Sequence, residues 1–203
     1  MKYFLKAKHW QIFIIALIYY IIGFIFARSV TVAAILLWIL SSAGIFGWFW
    51  SVGVGLHPNL TKGVNIKTGW FKVFLIIPFA FNLLIGIIGI TVLINFEGLQ
   101  DLSAKIIIAY LYNAFIHLDI ERFYWLLIGL FLVEVFLLVF SLFFILAFVF
   151  VCYFTARTYK TIELQRKVTF AEYSKEFILI VFLPIGIWIL QPKLNQMVKD
   201  KQF

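Results

Sequence analysis

The chain has 203 residues, of which 65% are hydrophobic and 13% charged, and its mean hydropathy is +1.07. Soluble domains contain about 45–50% apolar and about 25% charged residues. A soluble fold is excluded, because a core of this size could not bury so many apolar side chains. The net charge of +8 does not indicate nucleic-acid binding, because the basic residues flank apolar runs and suit contacts with lipid headgroups. The composition predicts an integral membrane protein in the lipid bilayer.

Four apolar runs approach or exceed the length that crosses a bilayer, about 20 residues as a helix. In chain order, the predicted spans cover about residues 11–26, 30–54, 73–94 and 123–154. The first two are separated by a very short connection, which predicts an antiparallel hairpin. The fourth would be about 48 Å long as a helix, more than a hydrocarbon core of about 30 Å. It is therefore expected to tilt or to extend beyond one face of the bilayer.

Two further apolar stretches are shorter than a full crossing. The stretch at about 104–118 contains polar residues among its apolar ones, which predicts an amphipathic helix in the membrane interface. The stretch at about 170–190 starts with a Thr-x-x-Glu capping box at Thr169. It contains Pro184 and Gly186, which predict a helix break. We expect this stretch to be a re-entrant segment packed on the other helices or a short fifth span.

The distribution of basic residues predicts how these spans are oriented. With a cytoplasmic N-terminus, all but three of the 17 basic residues fall on the cytoplasmic side, as membrane proteins favour. The exceptions are Arg28, Lys105 and Arg122. If the last segment crosses completely, the C-terminus lies outside, and this five-span alternative stays open. The sequence thus predicts an all-α, polytopic transmembrane helix bundle, one membrane domain over residues 1–203, with four spans and a proline-broken re-entrant or short fifth segment.

Small residues recur every four positions in the second span. They are Ala43, Gly47, Ser51 and Gly55. This small-xxx-small pattern predicts a smooth helix face that another backbone can approach closely, from within the chain, from a protein partner or from a second copy in a homo-oligomer. Gly86 and Gly89 in the third span are candidates for the opposing surface.

The candidates for chemistry are polar residues inside the apolar runs. Glu134 is the one charged residue well inside a long run, and an intramembrane carboxylate by default indicates a functional site. The alternative is that the fourth helix is shifted outward, so that Glu134 lies near the headgroups. Ser141 lies on roughly the same face of that helix. Asn82 in the third span is expected to link helices through hydrogen bonds rather than to bind a ligand.

The sequence has no catalytic, metal-binding or cofactor-binding signature. HExxH, GxSxG and phosphate-binding glycine loops do not occur. The single cysteine, Cys152, excludes an intramolecular disulfide. The histidines do not converge, and a solvated acidic surface explains His117 with Asp119 and Glu121 better than a metal site does. No catalytic residue, metal or cofactor is therefore predicted.

The segment from Lys160 to Asn195 is the most distinctive part of the chain. It contains the run LPIGIW, which begins at Leu183, followed by Gln191 and Pro192. In this segment the chain resembles the C-terminal region of multi-pass inner-membrane proteins of Bacteroidota. The resemblance implies a bacterial inner membrane and no particular activity.

Three functional hypotheses follow from these features. The first is a non-catalytic accessory or scaffold subunit of a larger membrane complex, because packing surfaces are present and chemical groups are few. The second is a transporter or channel component that uses Glu134 and the broken C-terminal segment, although few polar groups line the runs. The third is an intramembrane enzyme that acts on lipid, with its site near His117 or Glu134.

Overall fold

The structure, a computed structural model, describes residues 2–25, 32–57, 64, 66–94, 105, 108–109, 112 and 120–200. In these residues seven α-helices have defined bounds and no strand occurs, so the predicted all-α class is confirmed. The helices are α1 (Lys2–Lys6), α2 (His9–Ile25), α3 (Val32–Gly53), α4 (Gly69–Ile94), α5 (Ile120–Leu164), α6 (Phe170–Val181) and α7 (Leu183–Asp200). The predicted interfacial helix at about 104–118 lies almost entirely outside the described residues.

Three of the described helices contain segments long and apolar enough to cross a membrane. These segments are Val32–Gly53 in α3, Gly69–Thr91 in α4 and Leu127–Leu164 in α5, and they overlap the second, third and fourth predicted spans. The first predicted span forms α2, in which an apolar segment with described side chains covers His9–Ile18. Helix length and apolarity therefore define three candidate spans in the described chain.

The chain divides into two compact units, one made of residues 1–86 and 146–203 and the other of residues 87–145. The first unit contains α1, α2, α3, α6 and α7, with the beginning of α4 and the end of α5. Most of its buried apolar residues form one cluster.

Within the first unit, α3 and α4 run antiparallel. Contacts between them occur at three levels, Phe46 with Phe79, Ser42 with Asn82, and Ile39 with Gly86. The first pair stacks with ring centroids 4.3 Å apart. At the third level a methyl group on Gly86 would collide with Ile39, so the two helices approach closely there. From the first level to the third, the residue numbers fall in α3 and rise in α4, so the two helices run in opposite directions.

Aromatic rings connect α4 with the last part of α5. The rings of Phe71 and Phe154 stack with centroids 4.5 Å apart, and those of Phe74 and Phe150 are 4.9 Å apart. Phe71 also lies against Gly53 at the end of α3, where any side chain would collide with its ring. One phenylalanine of α4 therefore packs between two other helices.

The longest helix, α5, has 45 residues and extends well past the end of the predicted fourth span. Its length is about 68 Å. In the extension Thr155, Tyr159 and Ile162 are buried in the first unit, so tertiary packing maintains the helix beyond the apolar run. The helix ends before Gln165, which has a left-handed backbone conformation with φ 54° and donates from its side chain to the Ile162 carbonyl at 2.6 Å.

A single residue, Phe182, separates α6 from α7. Pro184 lies in the first turn of α7, where its missing N–H is not needed for helix hydrogen bonding. The Gly186 N–H donates to the Phe182 carbonyl at 2.9 Å. A side chain on Gly186 would collide with the backbone carbonyl of Leu179 in α6. Absence of a side chain at this position therefore permits the close approach of the two helices.

The fully buried side chain of Gln191 connects three helices. Trp48 Nε1 of α3 donates to Gln191 Oε1 at 2.8 Å, and Gln191 Nε2 donates to the carbonyls of Phe4 and Ala7 at 2.9 and 3.1 Å. Asn195 Nδ2 adds a bond of 3.1 Å to the Ala7 carbonyl. These bonds satisfy carbonyls at the end of α1 that have no partner within that helix. They hold the first and last helices of the chain together.

We expect Gln191→Leu to lower the free energy of unfolding by about 2–4 kcal/mol, because a leucine leaves the Trp48 indole and the Phe4 carbonyl without their partner, while the Ala7 carbonyl keeps only Asn195. Thermal unfolding of the detergent-purified protein would measure this. Gln196→Leu is the matched control, because Gln196 is exposed on the same helix and its replacement should change stability by less than about 0.5 kcal/mol. Equal effects of the two substitutions would contradict the role of the Gln191 bonds.

Candidate functional site

The polar residues singled out in the sequence belong to two different units of the chain. Glu134 is exposed on α5 in the second unit. Ser141, further along α5, donates to the Leu138 carbonyl at 2.8 Å, so its hydroxyl is satisfied within its own helix. Asn82 lies in the first unit and accepts a hydrogen bond of 3.2 Å from Ser42. Among the described residues no hydrogen bond joins Glu134 to either of the other two.

The small residues of α3 lie against the start of the chain. The ring of Phe4 covers Gly47, so that any side chain there would collide with it. Ala43 is half-buried one turn earlier, Ser51 is fully buried one turn later, and Gly55 follows the end of α3. The predicted smooth face of α3 is therefore close to an aromatic side chain of α1.

The two glycines of α4 belong to different units. Gly86 faces Ile35 and Ile39 of α3, which continue the four-residue row of the small residues toward the start of that helix. Gly89 is half-buried in the second unit. The atoms nearest to Gly86 thus belong to the row of α3 that includes the small residues, although not to the small residues themselves.

An apolar cleft of about 380 Å³ opens beside Ala43, at the start of the row of small residues of α3. It is lined by Phe4, Ile15, Ile18, Leu37, Leu40, Ser41, Ala43 and Gly44. The hydroxyl of Ser41 donates to the Trp38 carbonyl at 3.0 Å. The cleft therefore presents an almost wholly apolar lining, which suits an apolar group and provides no nucleophile or acid.

A buried ion-pair cluster connects α5 and α6, and we call it the Glu176 cluster. It consists of Tyr159, Lys160 and Glu163 on α5 and Glu176 on α6. Lys160 Nζ lies 2.8 Å from Glu163 Oε2 and 3.1 Å from Glu176 Oε1. Glu176 is only 6% exposed, whereas the side chains of Lys160 and Glu163 are 20% and 30% exposed. The cluster thus reaches from the solvent-accessible side of α5 into the protein interior.

Two oxygen atoms of the Glu176 cluster are buried without a hydrogen-bond partner in the described structure. They are Glu176 Oε2 and the hydroxyl of Tyr159. Tyr159 is 2% exposed and interacts electrostatically with both Glu163 and Glu176. Buried polar groups are nearly always paired, so this arrangement is chemically the least complete part of the described protein.

Two threonines on α5 also have buried hydroxyls without a partner in the described residues, Thr155 and Thr158. At about 100° per residue they are about 140° and 160° from Lys160 around the helix. Thr158 therefore faces away from Lys160, whereas Thr155 lies about 40° from Tyr159, one turn before it on the same face of α5.

The turn between α5 and α6 positions Glu176. The backbone N–H of Thr169 donates to Glu172 Oε2 at 2.7 Å, and Arg166 forms an ion pair with Glu172 Oε1. These bonds start α6 a few residues after α5 ends, so that α6 packs on α5 with the rings of Tyr153 and Tyr173 5.7 Å apart. The capping box predicted at Thr169 is formed.

Sequence reasoning did not select the residues of the Glu176 cluster or Gln191. A signal existed for Gln191, because it falls on the same stripe of α7 as the buried residues Ile187 and Leu194. A polar residue on an apolar stripe indicates a buried hydrogen-bond network. For Lys160 and Glu176 no local signal existed, because their separation of 16 residues includes a turn whose direction depends on packing.

No group of three or more His, Cys, Asp or Glu residues that could hold a metal ion occurs in the part of the chain that the structure describes. His117, Asp119 and Glu121 lie outside the residues with described side chains. The hypothesis of a lipid-acting site near His117 therefore stays a prediction.

Comparisons with protein-family models, curated proteins and solved structures found no match to the chain. Its class follows from its own structure: it is an all-α protein with three helices long and apolar enough to span a membrane. These helices indicate an integral membrane protein in contact with lipid.

The ion pair at the start of α6 predicts how the stability of the protein depends on pH. The Arg166 guanidinium, and next the Thr169 backbone N–H, lower the pKa of Glu172 from its ordinary value of 4.5 to about 2. Because the folded-state pKa is the lower one, the ionised carboxylate stabilises the fold above about pH 4.5, and this contribution is lost as the pH falls toward 2. Thermal unfolding in detergent over that range should show the loss in the native sequence and a weaker pH dependence in Glu172→Gln. Identical profiles for both proteins would contradict it.

Proposed function

We propose that the chain is a non-catalytic accessory or scaffold subunit of a larger membrane complex, and that it binds a partner through α5. The supporting observation is the surface of α5 in the second unit. From Leu127 to Val139 every residue except Ile128 is exposed, and every side chain there is apolar apart from Glu134. Lipid chains suit the apolar side chains but not the carboxylate.

Glu134 defines the chemistry of the partner. A carboxylate at the centre of a bilayer costs about 2.5–3.5 kcal/mol on insertion scales, and such groups are usually paired. No partner of Glu134 occurs among the described side chains. A spanning helix of another protein with a lysine, an arginine or a hydrogen-bond donor at the same depth would offset the cost. The proposal therefore commits to a partner helix with a basic or donor residue facing Glu134.

We expect Glu134→Gln to weaken the association with the partner by at least about tenfold, which corresponds to about 1.4 kcal/mol. The substitution keeps the shape of the side chain and removes its charge. Purification in a mild detergent, with measurement of the particle mass and identification of the chains that copurify, tests this. Ser141→Ala is the matched control on the same helix, because the Ser141 hydroxyl is satisfied within the helix. A native chain that purifies as a stable monomer with no other protein contradicts the proposal.

A second candidate function is a component of a transporter or channel. It is favoured by the position of Glu176, which is buried on α6, the helix that leads to the break at Phe182. Buried carboxylates beside broken helices are common in transporter binding sites. If a flux is demonstrated, an unchanged flux in Glu176→Gln would exclude this candidate.

For the topology, we infer four spans with α6 and α7 as a re-entrant pair, and both chain ends on the cytoplasmic side. Two contacts support this. The rings of Trp188 and His9 have centroids 4.5 Å apart, and Asn195 donates a hydrogen bond to the Ala7 carbonyl. Residue numbers rise along α7 while they fall along its partners, so α7 runs back toward the side of the N-terminus. The basic residues favour the cytoplasm for that side. Location in a bacterial inner membrane rests on the resemblance of residues 160–195.

Single cysteines should reveal this topology. Cys152 is the only cysteine and is buried, so Cys152→Ser provides a background for Lys8→Cys and Lys199→Cys. We expect a membrane-impermeant maleimide to label both positions in inverted membrane vesicles and neither in intact cells. Labelling of the two positions from opposite sides would instead establish a complete fifth crossing.

A further inference from the structure

The Glu176 cluster has an unbalanced charge. Two carboxylates, Glu163 and Glu176, share one ammonium group, that of Lys160. The cluster therefore has a net charge of −1 with all three groups ionised. Glu163 is partly exposed, so solvent can screen its charge, whereas Glu176 is almost fully buried. The excess negative charge is thus located where solvent screens it least.

The unpartnered atoms lie on the buried side of the same cluster. Lys160 contacts Glu176 through Oε1, so Oε2 is the oxygen without a partner. The Tyr159 hydroxyl is also unpartnered, and Tyr159, which is next to Lys160 in sequence, interacts electrostatically with Glu176. A small cation would accept electron pairs from both oxygens and supply the positive charge that the two carboxylates lack.

We propose that Glu176 Oε2 and the Tyr159 hydroxyl bind a hard monovalent cation such as sodium. Carboxylate and hydroxyl oxygens are ligands for alkali and alkaline-earth cations, whereas zinc and copper sites use nitrogen and sulfur. One positive charge neutralises the cluster. A divalent cation would leave an excess positive charge beside Lys160, which disfavours it.

The positions of the ligands indicate where the cation would enter and which helices its binding would connect. The exposed fraction of the side chains increases from Glu176 through Lys160 to Glu163, so a cation would enter from the Glu163 side of the cluster. Its ligands belong to α5 and α6. Binding of the cation would therefore hold α6, and the helix break at Phe182 that follows it, against α5. This site is independent of the partner surface around Glu134.

The test compares thermal unfolding of the full chain in detergent with sodium chloride and with choline chloride at equal ionic strength. We expect sodium to raise Tm saturably, by about 3–6 °C at ten times its dissociation constant. Glu176→Gln should abolish the rise and Tyr159→Phe should reduce it. Glu172→Gln is the matched control, because it removes a carboxylate from the same helix outside the cluster, and it should keep the rise.

Lys160→Met distinguishes cation binding from a purely structural role. The substitution removes a positive charge next to the bound cation, so the sodium concentration needed for half of the rise should decrease, even if the protein is less stable overall. It also remains informative if Glu176→Gln does not fold. The proposal is overturned if choline and sodium stabilise the native chain equally, or if the sodium effect is unchanged in both Glu176→Gln and Tyr159→Phe.

Discussion

The buried amide of Gln191 links the two ends of the chain, and the arrangement of the other helices in the first unit depends on it. It bonds to the indole of Trp48 and to the carbonyls of Phe4 and Ala7. Little water is available in a membrane protein to replace such bonds. The three partners are therefore satisfied only when α1, α3 and α7 are together. Because α6 joins α7 through the single residue Phe182, the position of α7 also restricts where Glu176 lies.

Two glutamates of this protein illustrate how environment decides the role of one residue type. Glu134 lies exposed on α5 among apolar side chains, and the partner we propose for it is a helix of another protein. Glu176 is buried in the first unit and has a partner, Lys160, for one of its oxygens. The first arrangement is suited to recognition of another helix, and the second to binding of a small cation. In both proposals a carboxylate is removed from water, and the binding partner is the group that supplies the compensating positive charge or hydrogen bond.

Much of the fold could be predicted from local patterns. The apolar runs predicted the helices α3, α4 and α5, because a backbone in lipid must satisfy its hydrogen bonds within the helix. The capping box at Thr169 predicted where α6 begins, and Pro184 predicted a break, which the structure has at Phe182. The end of α5 at Leu164 could not be predicted, because burial of Tyr159 and Ile162, rather than apolarity, extends that helix.

The candidate sites also divide into those that the sequence predicts and those that only the tertiary structure shows. Glu134 could be selected from the sequence, because a single charge within a long apolar run is visible without any structure. The sequence by itself determined that this protein is helical, that it belongs in a bilayer and which segments are apolar enough to span it, since these depend on side-chain transfer and backbone hydrogen bonding within one segment. Only the tertiary structure decided that Gln191 meets Phe4 and that Lys160 meets Glu176. Those contacts depend on the directions in which helices leave their turns, and these are set by packing between residues distant in the chain.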